Sequence, residues 1–198
     1  MRFDYEQVHP FASELLCELG ASPETASLVA TSLVKADQIG YDTHGIGLLP
    51  LYAQMISSGA IDPSTNPVTE KITDSISRVD GCLAFGQLTG KEATNIAIEN
   101  ASSHGISVSA IRNGSHLGRL GEWAEEASSR NMVFLAFTNT GGGAKNVAPF
   151  GGHERKLSTN PIAFGVPTFS ALQHNIIVDF ATSQVSGSVI REHDRTGE

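Results

Sequence analysis

The chain has 198 residues, 40% hydrophobic and 17% charged, which suits one sizeable packed domain or two small ones and excludes a disordered chain. A formal net charge of −8 argues against a basic face for nucleic acid or an anionic membrane. No run of about 18 apolar residues is present, and the acid-bearing start MRFDYEQVHP lacks the apolar core of a secretion signal, so the expectation is a cytoplasmic protein with no membrane span.

Val8, Phe11, Leu15, Leu16 and Leu19 recur at helical spacing and predict a helix over 5–19, stopped by Gly20. Ser22-Pro23-Glu24 opens a second helix with a capping hydroxyl, a proline in the first turn and an acid at the positive end of the dipole. Val29, Leu33 and Val34 form its buried stripe, and Gly40 ends it. A third helix is expected over 47–58, closed by Gly59, so residues 1–66 read as a helical N-terminal part. Cys17 and Cys82 read as reduced, buried small hydrophobes, not as a disulfide or a metal clip.

The composition changes after the proline-bearing loop AIDPSTNPVT. EKITDSISRVDG alternates Ile72, Ile76 and Val79 with polar residues and ends in an Asp-Gly turn signal. An amphipathic helix is expected over 87–103, then a buried strand in GISVSAIRN and a helix over 119–130. NMVFLAFTNT, NPIAFGVP and NIIVDFATS are three further strands. Strands and helices mixed in this way predict an α/β (α+β) mixed-sheet domain over 67–198. The polar ending VIREHDRTGE reads as the approach to a further element, so that domain is expected to be incomplete at its C-terminus.

The usual phosphate loops, G-x-G-x-x-G and G-x-x-x-x-G-K-[ST], are missing. H-E-x-x-H and paired C-x-x-C are missing too, so no zinc site is expected. Two histidines stand out. His44 sits in Asp42-Thr43-His44-Gly45 between two helical stretches, where an imidazole suits proton transfer and Asp42 is placed either to orient it or to cap a helix. His116 sits in Arg112-Asn113-Gly114-Ser115-His116-Leu117-Gly118, between a strand and a helix, where ligands gather in sheet proteins, or where a plain turn would serve. Gly141-Gly142-Gly143 allows either close approach of backbone to a ligand or a flexible loop. Thr159-Asn160 offers side-chain hydrogen bonds before a strand, and Asp179, Thr182 and Ser183 at a strand end suit a phosphate or ribose, or a helix cap.

The segments ADQIGYDTHGIGLLPLY, AIRNGSHLGRLGEWAEEA, VAPFGGHERKLSTNPIAFGVP and VDFATS occur in this order and together resemble the malate/L-lactate dehydrogenase type 2 family. The resemblance runs from about Phe3 to the last residue. It implies an NAD- or NADP-dependent oxidoreductase of a small 2-hydroxy or 2-oxo acid, built on a non-Rossmann nucleotide fold of the L-sulfolactate dehydrogenase-like type. It implies that the acid–base role falls to one or the other of His44 and His116. It implies cofactor contacts at His116, Thr140, Asp179, Phe180, Ala181, Thr182 and Ser183, and a substrate-side turn at Thr159, Asn160 and Pro161. A homodimer is implied as well, with no nucleic-acid or membrane partner. One departure stands inside the best motif. The family carries a substrate-gripping arginine four residues after the first histidine, and this chain has Leu48, which cannot pair with a carboxylate. Either the substrate differs, or Arg112 or Arg119 substitutes, or the chain is a truncated, inactive remnant or dimerisation module of the family.

Overall fold

The first two periodic stretches form α1 (Tyr5–Glu18) and α2 (Pro23–Gln38) in the computed structural model, which describes residues 4–139, 145–185, 193 and 197. The Ser22 cap is in place: its hydroxyl oxygen accepts the Thr25 N–H at 3.2 Å. Two 3₁₀ turns follow, Asp42–His44 and Ile46–Leu48, and then α3 (Leu49–Ser57). The third helix is thus shorter than the 47–58 expected from the apolar run, because its start is wound tightly as 3₁₀.

The stretch read as one alternating segment is a hairpin. β1 (Val68–Lys71) pairs antiparallel with β2 (Ile76–Asp80), in register from Val68↔Asp80 to Lys71↔Ser77. Ile72 lies in the connection, where Thr73 caps the turn by accepting the Ile76 N–H at 3.0 Å. Asp80-Gly81 is not a hairpin turn: the Gly81 N–H donates to the Arg112 carbonyl, beside α4 (Gly86–His104). That helix carries the chain from β2 to a parallel partner, β3 (Val108–Arg112), registered from Ile76↔Val108 to Asp80↔Arg112. β3 is an edge strand with mostly exposed residues, not the buried strand its apolar content predicted. A core joins α1, α2, the second 3₁₀ turn, α3 and the start of α4, with Ala12, Leu16, Val29, Leu33, Leu48, Tyr52, Phe85 and Leu88 packed together.

By packing, the chain divides into two compact units, Met1–Arg119 and Leu120–Glu198, and the change of composition at residues 66/67 lies inside the first. The second unit holds α5 (Leu120–Ser129) and a three-stranded antiparallel sheet, β4 (Phe134–Phe137), β5 (Ile162–Val166) and β6 (Ile176–Phe180), in sequential order. α5 packs through Trp123, Ala124 and Ala127. Gly165 of β5 lets it come close: a Cβ there would sit 2.5 Å from Ser128 Oγ and 2.6 Å from the Ala124 carbonyl oxygen. Cys17 and Cys82 are free thiols, as expected, but both are half-buried.

Candidate active site

The His44 turn is anchored from inside α2. Asp37, in the last turn of that helix, accepts the Ile46 N–H on Oδ2 at 2.8 Å. Gly45 is required for this contact, because a Cβ at residue 45 would overlap the Asp37 carboxylate. Burial pushes the Asp37 carboxyl above the usual carboxylate range and the nearby Asp42 charge adds to this, while the Ile46 N–H pulls the other way. A raised carboxyl value means a contribution to stability that is complete below the unfolded value and lost as pH rises through the folded one. Asp37→Asn keeps an oxygen acceptor for Ile46 and removes the titration. Its urea midpoint is therefore expected to lack the Asp37-linked gain predicted for the native chain as pH falls through the raised value towards the ordinary carboxylate range; an unchanged pH profile would contradict this assignment.

His116 lies on the connection that follows β3. Asp80 fixes the start of that connection, taking hydrogen bonds from Arg112 Nε at 2.9 Å, Asn113 Nδ2 at 3.1 Å and the Cys82 N–H at 3.0 Å. The Cys82 N–H and the Asn113 amide hold its carboxyl below the usual range. The His116 backbone then runs against the start of α4, where a Cβ at Gly86 would overlap the His116 carbonyl.

These two anchored segments bring the histidines together within the first unit. The rings stack with centroids 5.5 Å apart and planes inclined by 21°. The His44 Nδ1 atom and the Thr43 hydroxyl are 3.0 Å apart, so Thr43 is seated to orient the ring. His116 Nδ1 lies 3.0 Å from the Tyr52 hydroxyl, which in turn accepts from Gln87 Nε2 at 2.8 Å. Tyr52 and Gln87 are fully buried, and both imidazoles are half-buried.

Sequence reasoning missed Asp37, Tyr52 and Gln87. Tyr52 shares a helical face with Leu48 and Leu49 and reads as core, and Gln87 is one polar residue at a helix start. Their pairing joins residues 35 and 64 positions apart, which no local pattern records.

The second unit gathers two other expected groups. Thr182 donates its hydroxyl to the carbonyls of Thr159 at 3.1 Å and Asn160 at 3.0 Å, and its N–H to Thr159 at 2.9 Å. The turn 159–161 thus lies beside the end of β6. Asn160 adopts a left-handed φ of 37°, held by Ser158, whose hydroxyl donates to Asn160 Oδ1 at 2.6 Å. The Pro161 carbonyl accepts from the Thr138 N–H, and Ser183 donates to the Val185 carbonyl at 2.7 Å. Asp179 Oδ2 accepts the Gly121 N–H at 2.7 Å, which ties β6 to the positive end of α5. Phe180 and Ala181 continue the chain from Asp179, with Phe180 exposed. Thr140 and the three glycines after it lie outside the described residues.

Leu48 is buried in the core beside Leu49 and Tyr52, so its position offers nothing polar to a ligand. Of the two cations weighed as substitutes, Arg112 is paired with Asp80. Arg119 is 4% exposed, with its guanidinium 5.3 Å from the centre of the Tyr41 ring, next to the His44 turn. Among the described residues, no group of three or more His, Cys, Asp and Glu side chains is arranged to hold a metal ion.

Known proteins are similar to this chain along most of its length. Hydroxycarboxylate dehydrogenase B of Escherichia coli K12 is 34% identical over 185 residues, covering 93% of this chain and 50% of that protein. L-sulfolactate dehydrogenase of Methanocaldococcus jannaschii is 35% identical over 179 residues, covering 90% and 50%. The crystal structure of malate dehydrogenase from Entamoeba histolytica matches with a TM-score of 0.92 at 29% identity, over 100% of this chain and 54% of that one. The chain spans about half the length of the curated relatives it matches. The malate/L-lactate dehydrogenase family description fits residues 3–198, nearly the whole chain, and so the chain belongs to the malate/L-lactate dehydrogenase family.

Proposed function

We propose that this chain serves the nicotinamide-dependent oxidoreduction of a small 2-hydroxy or 2-oxo acid, with His44 and His116 holding and moving the hydroxyl proton. The observation that carries this reading is the imidazole stack, assembled from two separate segments and backed by buried Tyr52 and Gln87. The relatives named above act, by name, on hydroxycarboxylate, sulfolactate and malate, which share a hydroxyl beside an acid group. That substrate class is taken over here.

The polar groups of the second unit suit the ribose hydroxyls and carboxamide of NAD or NADP as acceptors: the hydroxyl protons of Ser158, Thr182 and Ser183 are given to Asn160, the 159–160 carbonyls and Val185, which leaves the Thr182 and Ser183 oxygens to accept and the Asn160 amide nitrogen to donate, around a turn held in one conformation. In this reading His116, Thr140 and the run Asp179–Ser183 are assigned to cofactor binding, and Thr159, Asn160 and Pro161 to substrate binding. Asp179 works mainly as the tie to α5. When bound, the nicotinamide supplies the acceptor or donor of the hydride. The protein does the rest. Thr43 and Tyr52 engage the two Nδ1 atoms, so proton transfer is assigned to Nε2, which takes the hydroxyl proton in oxidation and returns it in reduction. Holding both reactants in line contributes further by removing the entropy of encounter.

With Leu48 in the core, the substrate carboxylate is assigned to Arg119 on the ground of its contact with Tyr41, which sets it next to the His44 turn. Arg119→Met is expected to raise KM for the acid about 10–100-fold, the loss of one charge-assisted hydrogen bond of roughly 1.5–3 kcal/mol. An unchanged KM would remove Arg119 from this role. We place the protein in the cytoplasm as a homodimer; no helix among the described residues is long and apolar enough to cross a membrane.

The reading is tested by following NAD and NADP reduction with malate, lactate and sulfolactate, and the reverse reaction with the matching 2-oxo acids. Turnover with one of them supports it. A second reading, an inactive remnant or dimerisation module, is favoured by the burial of Leu48. Titration of NADH and NADPH by fluorescence separates the two, since no binding at millimolar concentration leaves only the second.

A further inference from the structure

One face of the β4–β5–β6 sheet is apolar from edge to edge. Alternate residues of its strands turn in towards α5, among them Gly165 and Asp179. The residues between them turn out, and the register sets them in rows: Leu135, Phe164 and Val178; Phe137, Ile162 and Phe180; Val166 and Ile176. Each is a large hydrophobic side chain, and none carries a charge or a hydroxyl. Phe137, Phe164 and Phe180 are 71%, 39% and 46% exposed, and Leu135, Val166, Ile176 and Val178 lie within the same range.

The size of this face matters. A phenylalanine offers roughly 200 Å² of surface, so these three leave about 300 Å² open to water. The exposed aliphatic residues bring the patch to about 600 Å², the upper end for the largest apolar patch on a monomer. Two such patches pressed together remove about 1,200 Å² from water, which is where specific, stable protein interfaces begin.

The surface that fits it is one of the same kind. Among the described residues, the outer face of the β1–β2–β3 sheet is different: it turns Glu70, Arg78, Asp80 and Arg112 to solvent in two cross-strand ion pairs. Stacking the apolar face on that one takes charges out of water at a net cost. Stacking it on its own copy takes none. A two-fold axis through the face also closes the contact on itself, so association stops at two chains.

We propose that the outer face of β4–β5–β6 is a self-association surface, on which a second copy of this chain seats the same face across a two-fold axis. This rests on the homodimer placement given above and names its surface. The two sheets stack about 10 Å apart, as in a β-sandwich, with α5 of each copy on the outside. Phe164, at the middle of the central strand, lies at the axis and meets its own copy. The row of Phe137, Ile162 and Phe180 adjoins the 159–161 turn and the 181–183 run, so assembly steadies the strands that carry them.

The test reads mass in solution for the 198-residue chain, by sedimentation or light scattering, with no cofactor or substrate present. The native chain is expected to be a dimer. Phe164→Glu and Leu135→Glu are each expected to raise its dissociation constant about 100-fold or more, the effect of truncating or charging the centre of an apolar interface. Val108→Glu, on the exposed face of the other sheet, is the control and is expected to stay dimeric. Circular dichroism of each variant reports folding. If both glutamates prevent folding, crosslinking decides. With Cys17 and Cys82 replaced by alanine, a short bismaleimide is expected to join two Phe164→Cys chains and not two Val108→Cys chains. The outcomes separate the surface from the homodimer placement. A dimer that survives both glutamates, or no Phe164→Cys link in a dimeric chain, overturns this surface and leaves the homodimer standing on another. A monomeric native chain overturns both and leaves the face to a different occupant, such as further polypeptide. Open-ended assemblies overturn the closed two-fold pairing.

Discussion

Replacing His116 by alanine is expected to lower turnover of the 2-hydroxy acid by about 10²–10⁴-fold, the usual worth of a positioned acid–base group, with the fold retained. The ring is half-buried and its backbone is held by Gly86, so removing the side chain leaves its segment in place. Tyr52 keeps its hydrogen bond from Gln87. His44→Ala is expected to fall in the same direction, since each ring shields and orients the other at 5.5 Å. The double variant should lose little more than the worse single one, because groups that act as a unit are not additive. The measurement is kcat/KM for each variant beside its circular dichroism spectrum. Full activity in both single variants would remove the histidines from the chemistry.

How much of this was legible in the sequence depends on the distance over which each feature is decided. α2 was readable because its start is local: Ser22, Pro23 and Glu24 act within one turn. Pairing was harder. The hairpin between β1 and β2 turns at Thr73-Asp74-Ser75, which carries no glycine or proline, so hydroxyl caps and the Lys71–Asp74 ion pair at 2.6 Å do what an Asn-Gly turn would otherwise do. β3 was misjudged because strand composition reports propensity, whereas burial is set by what the sheet packs against. The two histidines were legible as chemistry, being polar residues in glycine-bearing connections. Their supports were not. Asp37 is hidden in a helical pattern, and the Tyr52–Gln87 contact exists only once α3 and α4 meet. Leu48 was visible as a departure, but its burial came only from the fold.

The largest structural effect is expected at Gly86. A Cβ there would overlap the carbonyl group of His116 and lie 2.7 Å from the Leu117 nitrogen, so the clash is with backbone and no side-chain rotation relieves it. Overpacking of this kind typically costs about 1–3 kcal/mol, and backbone against backbone belongs at the upper end. Alanine in place of glycine in a helix returns about 1 kcal/mol at most, and less in the first turn, so Gly86→Ala is expected to lose about 2 kcal/mol. The chain relieves the overlap by moving residues 116–117 away from α4, which carries the His116 ring out of its stack. A displacement near 1 Å at a reacting group costs on the order of 10²-fold in rate. Stability and turnover are therefore expected to fall together in this variant. Gly45→Ala meets the Asp37 side chain first, which can rotate away at the loss of its bond to Ile46, and should lose less. Gly47→Ala has nothing within 4 Å and should match the native chain in both respects. Urea midpoints and kcat/KM for the three variants give the order. A Gly86→Ala protein as stable and as active as Gly47→Ala would mean that the start of α4 does not set the position of His116.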